Sequence, residues 1–167
     1  EVDGEQRYIQ IYSGNKDLGE PWGGLVYRRD WIVNYGTNPE TGEPFHGEWV
    51  ENEDGTKDWV DDVVFPSGNT DPLYISDWEW MFNIFSGYLQ GLAANGVDGY
   101  CMQLPYQGAL LTGDLLTGFG GIGGGLYLDE NGNVAFGATS EGMRAYTECI
   151  TNWYKNGWID PGFAERA

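Results

Sequence analysis

SDWEWMFNIFSGYLQGL (residues 76–92) carries apolar residues at intervals of three and four positions, and this spacing predicts one amphipathic helix with a buried stripe. Ser76 with Glu79 three positions later has the spacing of a capping box at the start of that helix. Asn95-Gly96 supplies a stop signal beyond its end. The predicted stripe consists of Trp78, Met81, Phe82, Phe85, Leu89 and Leu92.

Trp80 lies on the opposite side of the predicted helix from this stripe, where a helix facing water carries a polar residue. We expect Trp80 to pack against a neighbouring layer, either residues 37–72 or a lobe that this sequence does not contain. Contact with a sugar ring is the alternative interpretation of the same indole.

Helices and strands alternate over the rest of the chain, so the sequence predicts an α/β or mixed α+β fold. Turn signals and apolar periodicity divide it into short elements. The predicted elements are a strand at 7–13, a strand running into a two-turn helix at 23–36, a hairpin around Asp54-Gly55, a strand at 99–104, a helix at 108–118, a hairpin around Asn131-Gly132 and a helix at 139–157 that Ser140 caps. Met143, Tyr146, Ile150, Trp153 and Tyr154 form the stripe of that last helix.

The charge balance excludes several classes of partner. The chain has 26 Asp and Glu against 8 Lys and Arg, a formal net charge of −18. Nucleic acid and anionic membrane surfaces both require clustered cations, so neither is an expected partner. A neutral or a cationic ligand is expected instead. The many aromatic and glycine residues, the few lysines and the acidic surface suggest an extracellular protein, although no signal peptide or membrane span is seen.

Two cysteines and one histidine limit the metal chemistry. Cys101, Cys149 and His46 fit no zinc spacing, so we expect no metal and no cofactor. A disulfide between the cysteines would stabilise the chain by about 4 kcal/mol on the loop-entropy model. Two separately buried free thiols are the simpler interpretation.

Carboxylate pairs are abundant, and any of them can be proposed as the acid and base of a glycoside hydrolase. The negative charges at the start of the predicted helix are explained by the helix dipole, and the other pairs fall in a hairpin that we expect to be exposed. No nucleophile–base motif occurs, the DENGN stretch (129–133) is interpreted as a hairpin turn, and GFGGIGGG (118–125) is interpreted as a connection. The pairs are Asp61-Asp62, Glu51/Glu53 and Asp77/Glu79.

Tyr106 belongs to the most distinctive stretch, MQLPYQGALLTGDLLTGFGG (102–121). A predicted strand ends at Pro105, Tyr106 follows, and a helix begins immediately afterwards. This order places an aromatic ring and free backbone N–H groups at the carboxyl end of a sheet, where open α/β folds bind ligands. A ring there can stack on a sugar, or it can close the end of the strand.

The longer stretch DGYCMQLPYQGALLTGDLLTGFGG (98–121) and four others resemble the extracellular solute-binding proteins of bacterial ABC importers, family 1, most of all the carbohydrate-binding branch. The resemblance extends over nearly the whole chain, in order and at comparable spacings. The other stretches are VYRRDWIVNYG (26–36), SDWEWM (76–81), LDENGNVAFGATSEGMRAY (128–146) and WYKNGWIDPGFAE (153–165).

The resemblance implies one lobe of a type II periplasmic-binding-protein fold, in which a sheet is flanked by helices and two lobes close on a solute. Residues 1–27 would lie near the hinge, 37–72 would form a β-hairpin excursion, and 73–167 would form the core of the lobe. The resemblance also implies a non-enzymatic receptor partnered by an ABC permease and by a first lobe that this sequence lacks. In its full-length form the protein would be a lipoprotein anchored at the cell surface.

The resemblance assigns Tyr106 to sugar stacking and Phe119, Gly120 and Gly121 to the floor of the cleft. Tyr27 matches the family's strand-to-helix entry, and Trp80 flanks Glu79 at its helix start. Trp22 and Tyr27 are further cleft candidates near the hinge. Two other functions stay open, a carbohydrate-active hydrolase and a structural protein that assembles with itself, and so does a peptide, amino-acid or cationic ligand.

Overall fold

The computed structural model of the chain describes residues 26–104, 114–121 and 123–165. These residues form a mixed α+β fold with two separate two-stranded antiparallel sheets. The elements in chain order are α1 (Arg29–Tyr35), β1 (Gly47–Glu51), β2 (Lys57–Asp61), α2 (Ile75–Ala93), α3 (Asp114–Gly118), β3 (Leu126–Leu128), β4 (Val134–Phe136) and α4 (Glu141–Lys155), with 3-10 turns at Gly137–Thr139 and Pro161–Ala164.

The predicted central helix is present as α2, and most of its stripe lies in the core. Met81, Phe82, Phe85 and Leu89 are buried, while Trp78 is half-buried at the edge of the same cluster. Burial of each of these large apolar side chains stabilises the fold by about 1.5–3 kcal/mol. The stripe packs against α1 and α4, which contribute Ile32, Val33 and Trp153 to the core.

The predicted capping box of α2 is wrong. The helix begins at Ile75, and Asp77 rather than Ser76 or Glu79 binds the backbone at its start. The Asp77 carboxylate accepts hydrogen bonds from the N–H groups of Leu73 and Tyr74, both at 2.9 Å. Glu79 points elsewhere, toward α4.

Trp80 packs against residues 37–72, which was one of the two neighbouring layers predicted for it. Its ring meets Phe65 edge-on at 5.3 Å between centroids and Phe45 at 6.2 Å. Both phenylalanines are buried, so Trp80 extends the core to the second side of α2.

Both predicted hairpins are confirmed. In the first, β1 pairs with β2 so that Trp49 lies opposite Trp59, and the turn contains Gly55 with a φ of 82°. In the second, Leu126 lies opposite Phe136, and Gly132 occupies the left-handed conformation with a φ of 78°. Glycine suits both turns because it has no Cβ to oppose a positive φ.

The last predicted helix is confirmed as α4, together with its cap. The Ser140 hydroxyl oxygen accepts a hydrogen bond from the Met143 N–H at 3.2 Å. Tyr146 and Trp153 are buried as predicted, but Tyr154 is 47% exposed, because its position turns it away from α2. Its assignment to the buried stripe is therefore wrong.

The predicted strand at 99–104 is reduced to one parallel bridge between Met102 and Ile159. Accordingly, the sheet flanked by helices that the resemblance implies is not seen among the described residues, which contain only the two hairpins. The predicted strand at 7–13 and residues 108–113 of the predicted helix lie outside those residues. No helix in the described ranges has the length and apolar character needed to cross a membrane.

Candidate functional site

The three residues that the resemblance assigns to the cleft floor, Phe119, Gly120 and Gly121, form a tight turn directly after α3, here called the glycine loop. Backbone N–H groups of Phe119 and Gly121 donate to the Leu116 carbonyl at 3.1 and 3.0 Å. Gly120 has a φ of 69°, a conformation that a residue with a Cβ rarely adopts. Gly121 is buried against the Leu116 side chain, which leaves no room for a Cβ.

Gly142, in the first turn of α4, brings that helix into backbone contact with the glycine loop. A Cβ at Gly142 would lie 2.5 Å from the Phe119 carbonyl oxygen, 2.6 Å from the Gly120 carbonyl carbon and 2.7 Å from the Gly121 nitrogen. The half-buried Phe119 ring packs edge-on against Tyr146, with centroids 5.9 Å apart. Helix and loop are therefore fitted together at the level of the main chain.

Tyr27 and Trp80, two further predicted site residues, lie in a different place. Both rings pack against Phe65, Tyr27 at 6.2 Å and Trp80 at 5.3 Å between centroids. The structure thus brings Tyr27 and Trp80 into one aromatic cluster, while the glycine loop contacts the N-terminal half of α4. Their contacts show packing roles, and a ligand role for either residue stays a prediction.

The Tyr27 hydroxyl is occupied by protein partners. It donates to Asp71 Oδ1 at 2.6 Å and accepts from Arg29 Nη1 at 3.1 Å. Burial, followed by the hydrogen bond to Asp71, raises the pKa of Tyr27 to about 12. The hydroxyl therefore stays protonated at neutral pH and helps to hold the start of α1 against residues 70–71.

Arg29 forms the centre of a network that sequence reasoning missed. Its guanidinium binds the Asp61 carboxylate through two parallel hydrogen bonds of 2.6 and 2.7 Å, and it also donates to the Thr70 carbonyl at 2.6 Å. The Trp59 indole N–H donates to the same carboxylate at 2.7 Å. Bidentate pairs of this kind orient both partners. One sequence signal could have pointed to this network, because Asp61 lies two positions after Trp59 and therefore on the same face of β2.

Two of the candidate catalytic carboxylates, Asp61 and Asp77, bind structural partners. Burial alone would raise the pKa of Asp61, but Arg29 and the Val63 N–H outweigh it and hold that pKa below its usual range. Burial likewise opposes ionisation of Asp77, yet the backbone N–H groups of the 67–74 segment keep its pKa low. A general acid requires a raised pKa, so neither carboxyl group has the proton affinity of a general acid.

The remaining members of those pairs divide into bound and solvent-exposed groups. The Asp62 carboxylate accepts from the His46 N–H at 2.7 Å, and Glu79 accepts from the Trp153 indole at 2.9 Å. Glu51 and Glu53 are exposed on the first hairpin and its turn, as expected.

The described residues contain no cluster of three or more histidine, cysteine, aspartate or glutamate side chains suited to a metal ion. Cys101 and Cys149 are free thiols in half-buried positions. Burial raises the pKa of Cys101 to about 12 and is the main cause of the raised pKa of Cys149, about 11, so both thiols are weak nucleophiles. The 129–133 stretch forms the predicted hairpin turn, in which Asp129 accepts hydrogen bonds from the Asn131 and Asn133 N–H groups.

Trp22 and Tyr106, the other two predicted site residues, lie outside the described residues, so their assignment stays a prediction. Tyr106 is separated from α3 by only a few residues of sequence, and α3 leads directly into the glycine loop. Comparisons of the chain with protein-family models, with curated proteins and with solved structures found no match.

Proposed function

We propose that this chain is the substrate-binding component of a bacterial ABC importer, or one lobe of it, and that it binds a sugar or oligosaccharide outside the cell. The proposal rests on the order and spacing of the sequence stretches that resemble the carbohydrate-binding branch of that family. Its partners would be the permease and the first lobe of the same protein, and its full-length form would be a surface lipoprotein.

The single structural observation that carries the proposal is the close fit between the glycine loop and α4. Gly120, Gly121 and Gly142 each occupy a position where a side chain would cause strain or a clash. A binding site needs groups that are held in place before the ligand arrives. The stretch that the resemblance assigns to the cleft floor is therefore built as a rigid support.

In this proposal, Tyr106 supplies the ring that stacks on a pyranose, and nearby main-chain and polar groups bind the hydroxyl groups. Stacking needs no charge on the ligand, which agrees with a chain of net charge −18 that binds neutral sugars. An acidic surface would also repel anionic solutes.

Binding without turnover is favoured over hydrolysis by the state of the carboxylates. Asp61 and Asp77 both have lowered pKa values and bind Arg29 or backbone N–H groups. A glycoside hydrolase needs one carboxyl group that is protonated at its working pH. Neither Asp61 nor Asp77 meets that need, which supports a receptor over a hydrolase built on these two groups.

The experiment that tests this proposal is a fluorescence titration of the chain with mono- and oligosaccharides, beside the Tyr106→Ala variant. Tyr154→Ala is the matched control, because Tyr154 is an exposed tyrosine at the far end of α4 from the glycine loop. We expect saturable quenching by one class of sugar, lost in Tyr106→Ala and kept in Tyr154→Ala. Consumption of the sugar, or equal binding by both variants, would overturn the proposal.

A further inference from the structure

An open groove of about 760 Å³ lies between the C-terminal half of α1 and the β1–β2 hairpin, and it is here called the hairpin groove. Its volume falls within the range of small-molecule sites. It does not include the glycine loop or any of the predicted sugar-contacting residues. Its lining includes Val33, Asn34, Phe45, His46, Glu48, Val60 and Asp62.

The register of the hairpin places two carboxylates on the wall of this groove. Glu48 lies opposite Val60, and His46 lies opposite Asp62 through the Asp62 N–H bond to the His46 carbonyl at 3.1 Å. Side chains two positions apart on a strand share one face. Glu48 and Asp62 are thus diagonal neighbours on the face that lines the groove, with their Cβ atoms about 7 Å apart.

The floor of the groove is apolar and comes from the core. Val33 on α1 and Phe45 before β1 are both buried, with 8% and 6% of their surfaces exposed. Val60 is 53% exposed beside them, so an apolar surface continues from the core to the carboxylates. A ligand that carries a cationic group on an apolar body would match this combination of side chains.

The charged groups that line the groove are mostly carboxylates, namely Glu48, Asp61 and Asp62. Asp61 is neutralised by Arg29, but the Glu48 carboxylate makes no ion pair with any residue that the structure describes. Asp62 is held ionised, because the His46 N–H and then the His46 ring keep its pKa below its usual range. Besides the exposed His46, the titratable groups that line the groove are carboxylates.

We propose that the hairpin groove binds a small organic cation, a primary ammonium carried on an aliphatic body. The ammonium would lie between the Glu48 and Asp62 carboxylates, which would otherwise repel each other. Its hydrocarbon body would cover Val60 and the floor formed by Val33 and Phe45. This site is separate from the proposed sugar cleft and does not depend on it.

The only histidine of the chain provides the test, because the His46 ring gives one identifiable set of NMR signals. At constant ionic strength, n-butylammonium should shift these signals in a saturable way. The neutral isostere n-butanol should bind at least fivefold more weakly, and each added methylene that becomes buried should raise the affinity of the amine by up to about fourfold. Titrations with ammonium ion and with Ca²⁺ test whether positive charge is enough for binding when the apolar body is missing.

Glu48→Gln and Asp62→Asn should each weaken n-butylammonium binding about two- to fivefold, and the double variant should weaken it further. Both substitutions keep the shape and an acceptor oxygen, so the His46 N–H bond can persist. Glu51→Gln is the matched control, since Glu51 lies on the opposite face of β1 and should leave binding unchanged. The proposal is overturned if n-butanol or Ca²⁺ binds as well as the amine, if the Glu48 and Asp62 variants bind like the parent chain, or if no shift occurs.

Discussion

The indole N–H of Trp153 donates to Glu79 Oε1 at 2.9 Å, and this bond joins two helices across 74 positions of sequence. Trp153 is fully buried, with its ring edge-on to Phe82 at 4.9 Å between centroids. The bond therefore satisfies a donor that has no access to water, and it sets the position of α4 along α2.

We predict that Glu79→Ala lowers the free energy of unfolding by about 1–3 kcal/mol, because it leaves the buried Trp153 N–H without an acceptor. Glu79→Gln keeps an acceptor oxygen and should lose less than half as much. Urea unfolding followed by tryptophan fluorescence measures both. Equal losses in the two variants would contradict the role given to this hydrogen bond, and Glu53→Ala on the exposed hairpin turn is the control.

The low pKa of Asp77 predicts how the free energy of unfolding changes at acid pH. Its folded-state pKa is lowered below the unfolded value of about 3.9, so its contribution to stability is fully present above that pH. The contribution is lost as the pH falls through the lower, folded-state value, because protonation weakens the bonds from the Ser67, Leu73 and Tyr74 N–H groups.

Asp77→Asn should therefore lower the free energy of unfolding at pH 7 by about 1–3 kcal/mol and flatten its dependence on pH below 4. Unfolding curves at a series of pH values measure both effects. If the variant keeps the full acid dependence of the parent chain, Asp77 is not the group responsible.

The Arg29–Asp61 ion pair predicts that substitutions of Arg29 lower the free energy of unfolding. The Asp61 side chain is only 3% exposed, so Arg29→Ala leaves a nearly buried carboxylate without its cation and should lower the free energy of unfolding by about 3–5 kcal/mol. Arg29→Lys restores the charge but not the two parallel bonds, and an intermediate loss is expected. Arg28→Ala, at an exposed neighbouring position, should change stability by less than about 1 kcal/mol.

Gly142 and Gly91 offer a matched pair of glycine-to-alanine substitutions inside helices. Alanine at an open helical position stabilises by about 1 kcal/mol, and a Cβ at Gly91 would meet nothing within 4 Å. At Gly142 the same methyl group would collide with the main chain of the glycine loop. We therefore expect opposite signs, with a gain for Gly91→Ala and a loss of about 1–3 kcal/mol for Gly142→Ala.

Thermal unfolding of the two glycine variants gives the sign directly. Under the proposed function, Gly142→Ala should also weaken sugar binding while Gly91→Ala leaves it unchanged. If Gly142→Ala stabilises the chain, the glycine loop can move away from α4. The loop would then not be the rigid support that the proposed function requires.

The sequence predicted correctly those elements that are determined by residues close to one another in the chain. The stripe of α2 follows from helical periodicity, and the turns at Asp54-Gly55 and Asn131-Gly132 follow from the left-handed conformation that glycine adopts without strain. Ser140 was recognisable as a cap because its partner, Met143, is three residues away.

The features that sequence reasoning missed depend on partners far along the chain. Ser76 and Glu79 have correct capping-box spacing, but Trp153 competes for the Glu79 carboxylate, and this is visible only once α4 is packed on α2. The strand predicted at 99–104 has the right composition, yet its pairing depends on what lies beside it. Of the candidate site, the glycine loop could be proposed from its residues, whereas its contact with Gly142 could not.

The bridge between Met102 and Ile159 also constrains the order of folding. The two hairpins and the helices close over short stretches of chain, and such elements form within about microseconds. The bridge instead requires a long loop to close, which loses entropy before any contact compensates for it. The segment around Met102 should therefore pair late with residues 158–160, which follow α4, so substitutions at Ile159 should speed unfolding more than they slow refolding.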